Sequence, residues 1–221
     1  MNRNSITLAA IAIASMAMIT LSSCNGTPQS NNKSDVDSTA VADDNVDVEV
    51  QKTYLTQDLA TFDLYGQVSS VRYDQGEHTY PVVITFDKQG NLTSIIKEGV
   101  NGDAEEGNVD RNDENGRIEE LWWVSDDPWI TIFKYDGDGI VPPSQTMDTN
   151  QMGNYTLETY QRDADGNLVI VDFEEAVHGS IVEGEPKHVT TLSDFDTSGN
   201  WQTCTTKTGD YTFVTKRSIS Y

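Results

Sequence analysis

Three of the four tryptophans of this chain lie close together in the sequence. Trp122 and Trp123 are adjacent, and Trp129 follows the acidic pair Asp126 and Asp127. On a β-strand, adjacent side chains point to opposite faces, so Trp122 and Trp123 cannot both face one core. An exposed indole beside carboxylates could stack on a sugar ring while the carboxylates bind its hydroxyls. The alternative is that both rings pack, in a two-layer sandwich or against a covering loop.

Adjacent acidic residues such as Glu119-Glu120 suggest glycoside hydrolysis, which needs two carboxyl groups across a cleft with separated pKa values. Adjacent residues on a strand face opposite sides, so a working pair would have to come from different strands. The three histidines are isolated, without an H-E-x-x-H spacing, and no G-x-S-x-G or C-x-x-C motif occurs. Cys204 lies in an alternating run that offers no base to activate a thiol. We therefore expect no enzymatic activity.

Turns rich in aspartate and glycine invite comparison with a calcium loop, which needs oxygen ligands at positions 1, 3 and 5 and glycine at position 6. Placing Gly166 at position 6 puts Gln161 at position 1, and placing Gly139 there puts Lys134 at position 1. A lysine ammonium repels a bound cation. We interpret the turns as hairpin connections without metal or cofactor, and keep as an alternative a weak calcium site shared by adjacent turns in a cation-dependent adhesion module.

The turns recur along the chain. The clearest copies are Phe86-Asp87-Lys88-Gln89-Gly90-Asn91-Leu92 and Phe195-Asp196-Thr197-Ser198-Gly199-Asn200-Trp201. Aspartate opens a type I turn, glycine takes the left-handed position, and the flanking apolar residues enter paired strands. Successive turn glycines are 26, 23, 27 and 33 residues apart, which suits one hairpin with its connection. The predicted turn positions are Asp87, Gly90, Gly116, Gly139, Gly166, Asp196 and Gly199.

Apolar and polar residues alternate over 80–86, 129–135 and 211–221, which is the period of a half-buried strand. A short helical turn over 55–64 is the only helix that the pattern allows. We predict that residues 53–221 form one all-β domain, an antiparallel meander of about five consecutive hairpins in an open twisted sheet or a sandwich.

The aromatic-Asp-x-x-Gly-Asn-Leu pattern resembles the YD-type, RHS-like repeat of bacterial surface proteins. A second segment resembles the opening of uncharacterised cell-envelope lipoproteins built from such hairpins, namely Leu64-Tyr65-Gly66-Gln67-Val68-Ser69-Ser70-Val71. Phenylalanine stands here where that pattern usually has tyrosine. The resemblance implies extended sheets that act as scaffolds or binding surfaces, with no catalytic residue in the repeat.

The N-terminus carries Arg3, an apolar run from Ile6 to Leu21, and then Ser22-Ser23-Cys24. This segment resembles a bacterial lipoprotein signal peptide, which implies cleavage after residue 23 and lipidation of Cys24. Several acyl chains would make a lasting anchor, since each buried methylene contributes about 0.8 kcal/mol. The alternatives are an uncleaved transmembrane anchor and an ordinary secretory peptide.

Residues 24–52 are acidic, rich in Asn, Ser and Thr, and lack aromatic residues. We predict a lipidated, disordered stalk, since so little apolar surface cannot offset the entropy of ordering. A flexible coil of this length spans roughly 30 Å. Ser38, within Asp37-Ser38-Thr39, also resembles the O-glycosylation sequon of some lipoprotein-rich bacteria.

The formal net charge is -22 and the pI is about 4.1. Such a polyanion repels nucleic acid and anionic lipid surfaces, so we expect no nucleic-acid partner and membrane contact through lipid alone. We expect a lipid-anchored envelope protein, at the outer membrane, that presents a β surface to a glycan or an envelope protein. A glycan-binding accessory protein built on the tryptophan cluster is the first alternative.

Overall fold

The computed structural model describes residues 52–76, 79–99, 103–111, 114–123, 129–164, 166–182, 188–208 and 210–221. The predicted signal peptide, Cys24, Ser38 and nearly all of the predicted stalk lie outside these residues. The elements, in chain order, are α1 (Gln57–Thr61), β1 (Ser70–Asp74), β2 (Val82–Phe86), β3 (Leu92–Glu98), β4 (Ala104–Arg111), β5 (Ile118–Trp123), β6 (Trp129–Lys134), β7 (Gln145–Asn150), β8 (Tyr155–Arg162), β9 (Leu168–Val177), β10 (Ser180–Ile181), β11 (His188–Ser193), β12 (Thr203–Thr208) and β13 (Tyr211–Ser220).

Within the described residues, all 13 strands belong to one antiparallel sheet, so the all-β prediction is confirmed. Strands β1 to β10 follow one another as a meander, and the C-terminal strands β11 to β13 return to the opposite side of β1. The pairing of β13 with β1, from Ser70 opposite Ser220 to Asp74 opposite Lys216, joins the two halves of the chain. The described part of the chain has the short helix α1 within the segment where the sequence allowed one.

The sheet is open but must curl. A flat sheet with 13 strands would be about 58 Å wide at the usual strand spacing. The edge strands β10 and β11 are joined by residues 182–187, which reach at most about 25 Å when extended. The two edges of the sheet therefore approach each other, and one sheet face becomes an inner face.

The hydrophobic core lies between this inner face and the segment 52–68, which we call the cap segment. Leu59, Phe62 and Leu64 of the cap segment are almost fully buried. The Phe62 ring meets Phe86 of β2 and Phe133 of β6 edge-on, with centroids 6.1 and 6.5 Å apart. Burying a side chain of this size stabilises the fold by about 1.5–3 kcal/mol. The cap segment therefore supplies apolar surface that the curled sheet needs.

The cap segment lies at one end of the sheet, which we call the capped end. Because the strands alternate in direction, the described connecting residues 87–91, 114–117, 135–144, 163–164, 166–167 and 194–202 all lie at this end. All of the predicted turn glycines belong to these connections. The opposite end, which we call the far end, includes the described residues 79–81 between β1 and β2, 151–154 between β7 and β8, and 210 between β12 and β13.

Candidate functional site

The carboxylate of Asp58 on α1 binds three backbone or side-chain groups of the capped end. Arg111 of β4 donates from its two terminal nitrogens, at 2.6 and 3.0 Å, and the amide of Leu92 donates at 2.7 Å. Helix α1 is placed for this contact by its N-cap Thr56, whose hydroxyl accepts from the Leu59 amide at 3.2 Å and donates to Gly90 O at 2.6 Å. One buried carboxylate thus ties β3 and β4 to the cap segment.

Glycine at position 90 is required by this packing. Its φ is 87°, and an added Cβ would lie 2.8 Å from Leu59 Cδ1. A side chain here would strain the backbone and push α1 away from the first repeat turn.

Helix α1 also binds the connection between β6 and β7. Gln57 donates to Val141 O at 2.8 Å and accepts from Val141 N at 3.1 Å. The hydroxyls of Thr61 and Tyr135 lie 3.0 Å apart, and Tyr135 donates to Ile118 O at 2.8 Å. Burial raises the pKa of Tyr135 to about 12, so this hydroxyl keeps its proton and its donor role.

A cluster of tyrosines fixes the beginning of the cap segment. The Tyr54 and Tyr65 rings stack at 4.9 Å, and both hydroxyls donate to the buried Asp63 carboxylate, at 2.5 and 2.9 Å. Burial, followed by the charge of Asp63, raises the pKa of both phenols. Arg162 of β8 donates to both hydroxyls and lies over the Tyr54 ring, 5.4 Å from its centroid.

Lys52, the first described residue, connects turns from opposite edges of the sheet. Its ammonium donates to the side-chain oxygen of Asn167, in the turn between β8 and β9. The ammonium also lies 5.4 Å from the ring centroid of Phe195, beside the turn between β11 and β12. The chain therefore enters the body where the two edges approach each other.

Asn200, which ends the last repeat turn, is fully buried. Its side chain accepts from Tyr65 N at 2.8 Å and donates to Tyr65 O at 2.8 Å and to Tyr221 Oη at 3.0 Å. The Tyr221 hydroxyl donates to Asp196, the first residue of the same turn. The last repeat turn thus binds both the cap segment and the C-terminal residue.

Three repeat turns share one set of hydrogen bonds. In the first, Asp87 N donates to Asn91 O at 2.8 Å, Gly90 N donates to Asp87 O at 2.9 Å, and the Asp87 carboxylate accepts from Asn91 N at 2.9 Å. The hydrogen bonds from Asn91 lower the pKa of Asp87. The same pattern joins Asp163 to Asn167 and Asp196 to Asn200. Positive φ values occur at Gly90, Gly116, Gly139, Gly166 and Gly199.

A fourth copy of this turn was missed in the sequence because asparagine replaces the first aspartate. Asn150 N donates to Asn154 O at 3.1 Å, and the Asn150 side chain accepts from Asn154 N at 3.1 Å. This copy joins β7 to β8 at the far end. The spacing Asn-x-x-Gly-Asn was the available signal.

The predicted tryptophan site is divided between the two faces of the sheet. Trp123 is 3 % exposed and belongs to the core. Trp122 pairs with Ile130 across β5 and β6, so Trp129 shares the inner face with Trp123 while Trp122 points outward. Trp122 and Trp129 are each half-buried. The acidic members of the predicted site, Asp126 and Asp127, lie outside the described residues.

Two buried carboxylates from neighbouring strands lie on the inner face. Asp148 of β7 accepts from Thr131 at 2.5 Å, and Glu158 of β8 accepts from Tyr160 at 2.5 Å. Burial raises the pKa of Glu158 to about 8, while the Tyr160 hydrogen bond opposes the rise and the Asp148 charge adds to it. Both carboxylates are nearly inaccessible to solvent. In this arrangement Glu158 holds a proton at neutral pH and serves the packing of the sheet.

At the far end, the hairpin of β12 and β13 carries two strongly exposed aromatic residues. Tyr211 is 72 % exposed and Phe213 is 60 % exposed. They share a strand face because they are two residues apart. Alternation predicts a strand that contains both residues, but it does not indicate which strands extend beyond their neighbours, so their exposure has no signal in the sequence.

Within the described ranges, no helix is long and apolar enough to cross a bilayer. Nor do three or more His, Cys, Asp or Glu side chains come together as a metal-binding group anywhere in the part of the chain that the structure describes.

Comparisons with known proteins give no family. No family model matches the chain, and no curated protein sequence matches it. Among solved structures, the chain is similar to a porin-like protein from Bacteroides uniformis, with 10 % sequence identity, a TM-score of 0.35, and coverage of 71 % of this chain and 98 % of that one. A TM-score this low carries no argument about function.

Proposed function

We propose that this chain is a lipid-anchored protein of the bacterial cell envelope, at the outer membrane, which presents its β sheet for binding or structural contact. The proposal is one of binding rather than catalysis. The observation that carries it is the position of Lys52, which brings the chain into the body at the capped end. A tether at this end directs the far end, with its exposed aromatic residues, away from the lipid.

The sequence before Lys52 supports the tether. Leu21-Ser22-Ser23-Cys24 ends an apolar run, as in a lipoprotein signal peptide. The net charge of -22 opposes direct contact with anionic lipid. Attachment through acyl chains on Cys24 accommodates both properties.

The capped end also suits a point of attachment. Lys52 contacts the β8–β9 turn and the β11–β12 turn, and Tyr65 is bound by both Arg162 and Asn200. These turns belong to opposite edges of the sheet. A pull on the N-terminal segment is therefore shared between both edges instead of peeling one strand.

Metabolic labelling with a palmitate analogue tests the anchor. We expect the wild-type chain and Cys204→Ser to carry label and sediment with membranes, while Cys24→Ser loses the label. Cys204→Ser is the matched control because Cys24 and Cys204 are the two cysteines of the chain. Label on Cys24→Ser, or an unlabelled wild-type chain that stays in the membrane after carbonate washing, would contradict the proposal.

A further inference from the structure

The C-terminal strands β11, β12 and β13 extend beyond β1 at the far end. Residues 216–220 of β13 pair with β1, whereas 211–215 pair with β12 and have no described partner strand on the other side. The extension therefore has three strands, since β11 pairs with β12 along 188–193, and β1 supports its base. We call its β12 and β13 part the β12–β13 arm.

The inner face of this arm changes gradually from buried to exposed. Arg217 at its base is 2 % exposed and stacks on Trp201, with the guanidinium carbon 3.8 Å from the ring centroid. Thr215 is half-buried, and Phe213 and Tyr211 follow at 60 % and 72 % exposed. The base of the arm is thus rigidly packed, and its outer part offers two aromatic rings about 7 Å apart along the strand.

Hydroxyl groups lie beside these rings. Thr206 of β12 pairs with Phe213, so both lie on the inner face. Its hydroxyl is 3.2 Å from that of Thr190 on β11, which pairs with Thr206 from the other side. Thr215 occupies the same face on β13. The aromatic rings are therefore bordered by neutral groups that both donate and accept hydrogen bonds.

Beyond the buried Arg217, the described side chains of this face toward the end of the arm carry no charge. Lys207 and Lys216 alternate onto the outer face, and Asp210 precedes the arm's second strand. This is unusual in a chain whose formal net charge is -22. The body as a whole repels polyanions, while a neutral ligand meets no electrostatic cost on this face.

We propose that the inner face of the β12–β13 arm binds a neutral polysaccharide, with Tyr211 and Phe213 stacking on sugar rings and Thr206 binding sugar hydroxyls. Exposed aromatic residues that share one face mark interaction sites, because their burial by a ligand is favourable and costs little side-chain entropy. This inference deepens the proposed function, on which it rests, by naming the class of partner that the far end meets.

Pull-down and calorimetry with the full chain test the proposal. The probes are neutral polysaccharides, namely a β-glucan, a xylan and a mannan, with polygalacturonate as an acidic comparison. We expect the wild-type chain to bind at least one neutral probe better than polygalacturonate, and Tyr211→Ala/Phe213→Ala to bind that probe about tenfold more weakly, as for loss of a central aromatic contact. Tyr80→Ala, which removes another exposed aromatic ring at the far end, should bind as the wild type does.

Three results would overturn the proposal. They are an absence of binding to every neutral probe, equal binding by the double variant, and sedimentation showing that the wild type dimerises through this face while the double variant is monomeric. Circular dichroism and thermal unfolding of each variant distinguish a loss of binding from a folding defect. Palmitate labelling of the same variants keeps the two proposals apart, because failed polysaccharide binding with intact Cys24 labelling removes this inference alone.

Discussion

The two ends of the sheet use the same hairpins in different ways. At the capped end, the cap segment is hydrogen-bonded to successive turns: the Asp58 carboxylate accepts from Leu92 N, and the Asn200 side chain accepts from Tyr65 N. At the far end, the β12–β13 arm leaves Tyr211 and Phe213 exposed. The comparison indicates that the turns carrying the sequence repeat serve stability, while a strand extension without any repeat signal is available to a partner.

The largest effect is expected from Asp58→Ala. The substitution leaves the Leu92 amide without its acceptor and removes the two hydrogen bonds from Arg111, whose side chain is 34 % exposed. Each hydrogen bond to a charged group contributes about 1.5–3 kcal/mol, so we expect a loss of about 3 kcal/mol or more. Urea unfolding measures the loss. Asp110→Ala, an exposed acid on the same strand as Arg111, should change the free energy of unfolding by less than about 0.5 kcal/mol. Equal effects of the two variants would show that the cap segment does not stabilise its end.

Asn200→Ala should come next, at about 2–3 kcal/mol, because it leaves both backbone groups of Tyr65 unsatisfied and removes one hydrogen bond from the Tyr221 hydroxyl. Asn91→Ala is the matched variant, at the same position of the first repeat turn. The Asn91 side chain is exposed and bonds to Asp87, so its loss should cost less than about 1 kcal/mol. Thermal unfolding of the Asn200→Ala and Asn91→Ala variants measures the difference. A larger loss of stability in Asn91→Ala would contradict the role assigned to Asn200.

Glu158 should make stability depend on pH. Its folded pKa of about 8 is above the unfolded value, so the folded state holds the extra proton and is favoured at low pH. The contribution of Glu158 to the free energy of unfolding is lost as the pH rises toward 8. The loss is about 1.4 kcal/mol for each pH unit between the unfolded and the folded pKa values. Glu158→Gln should flatten the pH profile of the urea midpoint, whereas the exposed-site variant Glu106→Gln should keep the wild-type slope. An unchanged slope in Glu158→Gln would show that the carboxyl is ionised in the fold.

The smallest effect is expected at the far end. Tyr211→Ala and Phe213→Ala remove exposed rings, so each should change the free energy of unfolding by less than about 0.5 kcal/mol. Chemical denaturation of both variants checks this. A loss above about 2 kcal/mol at either position would mean that the arm is part of the core.

The sequence was sufficient to predict the all-β class and the antiparallel hairpins, because alternation and Asp-x-x-Gly-Asn turns are local signals. The pairing of β13 with β1 has no local signal, since strands distant in sequence can meet in many orders. The residues of the candidate site could not be predicted for the same reason. The Asp148 and Glu158 pair comes from two strands, and the exposure of Phe213 depends on where β1 ends. The burial of Trp123 also follows from the curl of the sheet, which periodicity does not encode.

Native-state hydrogen exchange tests the contrast between the two ends most directly. We predict that the amides of Tyr65 and Leu92, bound by Asn200 and Asp58, exchange only through global unfolding. The amides of residues 212–214, in the arm beyond β1, should exchange through local opening at a lower free energy. Exchange of the Tyr65 and Leu92 amides that is as fast as exchange in the arm would contradict the account.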